Sequence, residues 1–271
     1  MLDSTFLTEV LQTARDAALT AGSIVRDQYS KPRQITEKGP RDLVTDTDHL
    51  AQEAALEIIR ARHPDHGILA EEDPGNHATS EGRWHIPSGI VWLIDPVDGT
   101  TNFTTGLPFS CVSVGVAVDG VSVAGAIHDP YRDELFSAAQ GQGARVNDNP
   151  LPPLPSVRLE HALLSIDWAH HPTIRSRALT TVQVLAPLSQ SVRALGSAAL
   201  AQAYVAAGRL HLYLNFGLQP WDVGAGFALI TEVGGIYQTP GGATWTLGQN
   251  AVIAAHPALL AEVQPLIPTF P

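Results

Sequence analysis

Two Val-rich runs, Cys111 to Val118 and Val121 to Ile127, are separated only by Asp119-Gly120. Asp-Gly supplies the left-handed backbone that a two-residue hairpin requires, so these runs predict neighbouring antiparallel strands. A hairpin of this kind needs a sheet face to bury. The apolar segments Gly67 to Ala70, Ile90 to Ile94 and Glu134 to Ala138 read as further strands beside it. Towards the N-terminus the period changes: Leu7, Val10, Ala14, Ala17, Ala21 and Val25 recur at helical spacing and predict an amphipathic helix from Ser4 to about Gln28. A second helix is expected over about Thr47 to Ala61, with Lys38-Gly39-Pro40-Arg41 between the two as a loop.

In the stretch Asn149 to Pro155, residues 150–155 hold four prolines, which cannot continue a helix or a central strand. Beyond it, apolar runs at Ala162 to Ile166 and Leu210 to Leu214 alternate with expected helices at Ala198 to Ala207 and Val223 to Val233. Strands interleaved with helices indicate a layered α/β chain. Its 271 residues suit one large domain made of two joined halves, 1–150 and 151–271.

The net charge of −11 argues against a general affinity for nucleic-acid backbone or anionic membrane. Cys111 is the one cysteine, which excludes an internal disulfide and a cysteine-based zinc site; it reads as a core residue. His63-Pro64-Asp65-His66 and His161 with His170-His171 lack partners at zinc spacing. No apolar run is long enough to span a bilayer, and Met1-Leu2-Asp3-Ser4 carries no basic leader, so a cytoplasmic protein is expected. Trp84, Trp168 and Trp245 read as packing residues.

Chemistry concentrates in three segments. In Trp92-Leu93-Ile94-Asp95-Pro96-Val97-Asp98-Gly99-Thr100-Thr101 an apolar strand runs into two carboxylates and then into a helix start, with Asp98 as its expected cap. Carboxylates there would hold hard cations while the Gly99 and Thr100 N–H groups face a phosphate. The same residues suit an ordinary hairpin turn, but Thr100-Thr101-Asn102 makes a poor second strand. Gly67 to Ala70 likewise runs into Glu71-Glu72-Asp73, a cluster that needs solvent or a cation to neutralise it. Asp222, in Pro220-Trp221-Asp222-Val223-Gly224-Ala225-Gly226, is placed to cap an apolar helix of small residues, which is also its plainest role. Oxygen ligands without His or Cys favour Mg²⁺ or Mn²⁺, and a shared carboxylate can bridge two such ions.

The run Asp95 to Phe103, with Trp221-Asp222-Val223 and Ala225-Gly226, resembles the two signatures of the inositol monophosphatase family. The likeness extends through Asp42-Leu43-Val44-Thr45 with Asp48, Glu71-Glu72, Asp129-Pro130 and Glu134-Leu135-Phe136. It implies a layered α-β-α-β-α sandwich of the inositol monophosphatase and fructose-1,6-bisphosphatase type, a homodimer, and lithium-sensitive, Mg²⁺-dependent hydrolysis of a small-molecule phosphate monoester by a metal-activated water. It further implies two or three ions per subunit. Glu71, Asp95 and the Val97 carbonyl would hold the first, and Asp95, Asp98 and Asp222 the second. Glu71 and Thr100 would orient the water, with Asp48 behind Thr100. Gly99 and Thr100 would hold the phosphate, and Gly196, Ser197 and Ala198 would lie beside the sugar. Lys38 and Glu72 fall in the loop near a third metal position. Asn215 stands where inositol-hydrolysing members carry a Glu, so inositol phosphate is one expected substrate beside histidinol phosphate, fructose 1,6-bisphosphate and phosphoadenosine phosphate. A regulatory protein that keeps the fold is the alternative from another class.

Overall fold

The computed structural model describes residues 2–73, 84–169 and 171–270. Helix α1 (Ser4–Gln28) starts at Asp3, whose side chain accepts from Thr5 N, and buries the predicted stripe. The loop expected next is instead a hairpin, β1 (Ile35–Gly39) and β2 (Asp42–Thr45), turning at Pro40-Arg41 with Arg41 left-handed at φ 66°. Lys38 therefore belongs to a strand. Helix α2 (Asp46–Arg62) follows at once, opened by a capping box between Thr45 and Asp48.

The first sheet contains β3 (Gly67–Ala70), β4 (Ile90–Asp98), β5 (Cys111–Val118), β6 (Val121–Asp129), β7 (Glu134–Ala139), β8 (Ala144–Val146) and β9 (Asn149–Pro150), in that order. Only β3 and β4 are parallel, so their C-terminal ends lie side by side. The predicted β5–β6 hairpin is present, with Asp119 at φ 49° and Gly120 at φ 78°, as a two-residue turn with two left-handed positions requires. Between β4 and β5 lies the short helix α3 (Thr100–Thr105).

The second sheet runs β11 (Ser191–Arg193), β10 (Leu163–Ile166), β12 (Leu212–Asn215), β14 (Val252–Ala255), β13 (Ile236–Gln238). Its helices are α4 (Pro172–Leu185), α5 (Ala198–Ala206), α6 (Pro220–Glu232) and α7 (Pro257–Val263). Three apolar clusters define the layers. Helices α1 and α2 pack on one face of the first sheet around Trp92 and Ile94. Helices α5 and α6 fill the space between the sheets, and α4 and α7 cover the outer face of the second around Leu164, Leu212 and Ile253. The result is the α-β-α-β-α sandwich. Small residues let α6 approach closely: a Cβ at Gly115 would lie 2.8 Å from Ala225 N, and one at Gly125 would overlap Ala225 itself. No helix among the described residues is long and apolar enough to cross a membrane.

Candidate active site

Asp95 and Asp98 are three apart, so on a regular strand they would point to opposite faces. The β4–β5 register slips between them: Asp95 pairs with Ser113 but Asp98 with Cys111. That extra residue is a bulge at Pro96-Val97, where a missing N–H does no harm, and it turns both carboxylates to the α6 side. Val97 points the other way, into the α1–α2 cluster, and its N–H donates to Asp95 Oδ1 at 3.1 Å.

Asp98 is not the cap of α3. That place belongs to Gly99, left-handed at φ 94° and without a side chain to offer. Asp98 instead caps α5, a hundred residues further on. Its Oδ2 accepts from Ser197 Oγ at 2.5 Å and Ala199 N at 2.7 Å, and its Oδ1 from Ala198 N at 3.0 Å. Local sequence reasoning missed this because the donors come from the other sheet's layer. Asp222 is likewise not an N-cap but the third residue of α6, where it accepts from Gln219 N at 2.8 Å.

Ligand oxygens of Asp95, Asp98 and Asp222 all lie within 4.8 Å of one another. Glu71 joins them, since its N–H donates to Ile94 O at 3.0 Å beside β4 and its carboxyl hydrogen-bonds Asp95. Burial, then the Glu71, Asp98 and Asp222 charges, hold the Asp95 carboxyl well above the usual range. Burial and Asp98 do the same to Asp222. Burial raises Asp98 too, against the bonds from Ser197, Ala198 and Ala199. Burial pushes Glu71 up to about 7, with Lys38 opposing. A group of carboxylates that repel one another this strongly suits a hard divalent cation, and all-oxygen donors suit magnesium better than zinc.

The acids beside β3 already have a cation. Lys38 Nζ lies 3.0 Å from Glu71 Oε1 and 2.7 Å from Glu72 Oε1, so it is neither a solvated lysine nor unpaired. Burial lowers its pKa, but Glu71 and Glu72 more than reverse this.

Thr100 Oγ lies 2.9 Å from Val97 O and 3.3 Å from Asp48 Oδ1, two acceptors that engage its proton and leave its lone pairs outward. Asp48 is fully buried and fixed by Thr45 N and Thr45 Oγ. Gly99 presses against the facing segment: a Cβ there would lie 2.9 Å from Gly196 O. Asn215 is turned inward. Its Oδ1 accepts from Gly217 N at 3.0 Å and its Nδ2 donates to Tyr213 OH at 3.1 Å, so both amide atoms are engaged within the protein.

These residues line one cleft of about 1160 Å³, from Lys38, Glu71 and Asp95 to Gly196, Ser197, Ala198 and Asn215. Trp84 packs edge-on against Trp221 and Trp245 is buried, but Trp168 is 42% exposed on the cleft wall, contrary to its reading as a packing residue. His63 and His66 stack on each other near Trp92, away from the carboxylates; His170 lies outside the described residues. Cys111 is buried with Sγ 3.5 Å from Asp98 Oδ2, and burial raises its thiol well above the ordinary value, which suits a packing role.

A sequence model described as the inositol monophosphatase family matches residues 7–268. An inositol-1-monophosphatase of Synechocystis sp. is 36% identical over 266 residues, 96% of this chain and 89% of that one. A Nus factor SuhB of Pasteurella multocida is 35% identical over 257 residues, 94% of each. The solved inositol monophosphatase of Anabaena (Nostoc) sp. superposes with a TM-score of 0.80 at 32% identity, covering 97% of both chains.

Proposed function

Because this chain belongs to the inositol monophosphatase family and is a phosphoric monoester hydrolase, we propose that it hydrolyses a phosphorylated polyol or sugar with Mg²⁺ held by Glu71, Asp95, the Val97 carbonyl, Asp98 and Asp222. The observation that carries this reading is the convergence of Asp95, Asp98 and Asp222 within 4.8 Å on the wall of a wide cleft. Magnesium at such a site supplies Lewis-acid charge and lowers the pKa of bound water.

The chain's own residues supply position and proton transfer. Glu71, beside Asp95 and paired with Lys38, is placed to orient the attacking water together with Thr100. Thr100, its hydroxyl proton engaged by Val97 O and Asp48, is oriented to accept from the same water. The N–H groups of Gly99 and Thr100 have no side-chain cap competing for them and are available to phosphate oxygens. The Gly196-Ser197-Ala198 segment, tied to Asp98, lies beside the alcohol. The same reading carries lithium inhibition, a homodimer and a cytoplasmic location.

Phosphate release from inositol 1-phosphate, histidinol phosphate, fructose 1,6-bisphosphate and phosphoadenosine phosphate, each with Mg²⁺ and with EDTA, tests the proposal. Turnover of at least one, abolished by EDTA, is expected. A second reading, a binding protein that retains the fold, draws on the relative named Nus factor SuhB. Silence across the panel in a folded, Mg²⁺-binding protein would favour it.

A further inference from the structure

We propose that Gln202 is a positioning residue of the carboxylate centre: by tying the start of α5 to the start of α6 it fixes the spacing of Asp98 and Asp222, and that spacing favours Mg²⁺ over a larger divalent cation. This rests on the metal-dependent reading and goes beyond it in naming what sets the geometry of the site. Gln202 is fully buried, and every other side chain of α5 is aliphatic or aromatic. Packing alone gives no reason for an amide there, since an aliphatic side chain would fill the layer without polar atoms to satisfy. Room is kept for it on α6, where a Cβ at Gly226 would overlap Gln202 Oε1.

The amide is bonded at both ends. Its Nε2 donates to Ala198 O at 2.9 Å and to Asp222 O at 2.8 Å, and its Oε1 accepts from Tyr237 OH at 2.8 Å. Carbonyl oxygens only accept, so the nitrogen must face them and the amide has one orientation. Both carbonyls belong to the carboxylate centre's own scaffold. Ala198 N and Ala199 N, in the first turn of α5, donate to Asp98, and Asp222 is itself the third residue of α6. Asp98 and Asp222 come from different layers, yet one side chain holds their supports together, and β13 anchors that side chain through Tyr237. Mg²⁺ demands near-ideal octahedral geometry at about 2.0–2.1 Å, whereas Ca²⁺ accepts irregular sites at about 2.3–2.6 Å. A rigid spacing of the two carboxylates therefore favours the smaller ion, and loosening it removes that advantage.

The test is calorimetric titration of the metal-stripped protein with Mg²⁺ and with Ca²⁺ in wild type, Gln202→Leu and the double variant Gln202→Leu/Tyr237→Phe, with urea midpoints to establish folding. The double variant removes both partners of the Tyr237 bond, so no buried hydroxyl is left unmatched and the fold should persist. In either variant that folds, Kd for Mg²⁺ should rise about ten- to a hundredfold, the effect of losing a group that orients a metal ligand, while Kd for Ca²⁺ should change by less than about threefold. A packing role would move the urea midpoint and leave the ratio of the two Kd values as in wild type. An unchanged ratio, whether neither ion or both are weakened, would overturn the proposal. Failure of folded wild type to bind either ion would instead overturn the metal-dependent reading beneath it, a distinguishable failure.

Discussion

At the scale of single residues, the geometry turns on side chains whose neighbours lie far away in sequence. Gly99 combines φ 94° with a Cβ position 2.9 Å from Gly196 O. Gly99→Ala should therefore cost about 1–2 kcal/mol for the backbone alone, with more for the clash, and lower kcat by displacing Asp98; urea denaturation and initial rates check both effects. His128 gives a pH signature remote from the carboxylates. It is 5% exposed between β6 and α1, where its ring packs against Gly22. Burial lowers its pKa, while Asp133, Asp129 and the Ala18 backbone oppose this only in part. The unfolded chain thus binds the extra proton first, so the stability contributed by neutral His128 is full above about pH 6.5 and declines as pH falls towards the folded value. Urea midpoints should drop below that pH in wild type, and His128→Leu should flatten the drop. The carboxylates themselves were legible because each ends an apolar run or opens an apolar helix. The true partners of Asp98 were not, because Asp-Gly-Thr-Thr looks locally like a cap and the donors Ser197, Ala198 and Ala199 belong to another element.

Among elements, the position of α6 decides where Asp222 sits. The helix lies almost backbone to backbone on β5 and β6 because Gly115 and Gly125 leave room for Ala225. Gly125→Ala would place a methyl 2.7 Å from Ala225 Cβ. It should cost about 1–3 kcal/mol by overpacking and lower kcat through Asp222, measurable as a split between thermal stability and Mg²⁺-saturated rate. Gln202 ties the same helix to α5: its Nε2 donates to Ala198 O and Asp222 O, and its Oε1 accepts from Tyr237 OH. Strong periodicity made α1, α2 and the central strands readable, and small residues marked α6 as closely packed. The β1–β2 hairpin was hidden because Gly-Pro reads as a loop, yet Pro40 occupies the turn, where its missing N–H is no loss. Helix α4 buries only Ala178, Thr181 and Leu185 among its 14 residues, and β11 and β13 have three residues each, too few for a period to show.

On the scale of the whole molecule, two sheets with helices between them place the parallel ends of β3 and β4, the start of α5 and the start of α6 around one cleft. Four mutually repelling acids at that junction weaken the fold until a cation neutralises them. Mg²⁺ should therefore raise the thermal midpoint, by about 2.7 kcal/mol of stability at a hundredfold excess over Kd, and EDTA should reverse the gain. The layered class followed from alternating strand and helix patterns; the meeting of Asp95 with Asp222 across 127 positions did not follow from local pattern and entered through family resemblance. The most direct test of the central claim is phosphate release from inositol 1-phosphate by Asp95→Asn at saturating Mg²⁺, with folding checked by circular dichroism. If Asp95 is shared between two ions, as proposed, turnover should fall by about a thousandfold or more while the spectrum is unchanged, the scale of losing a principal electrostatic stabiliser. Wild-type turnover by this variant would contradict the carboxylate-held metal centre.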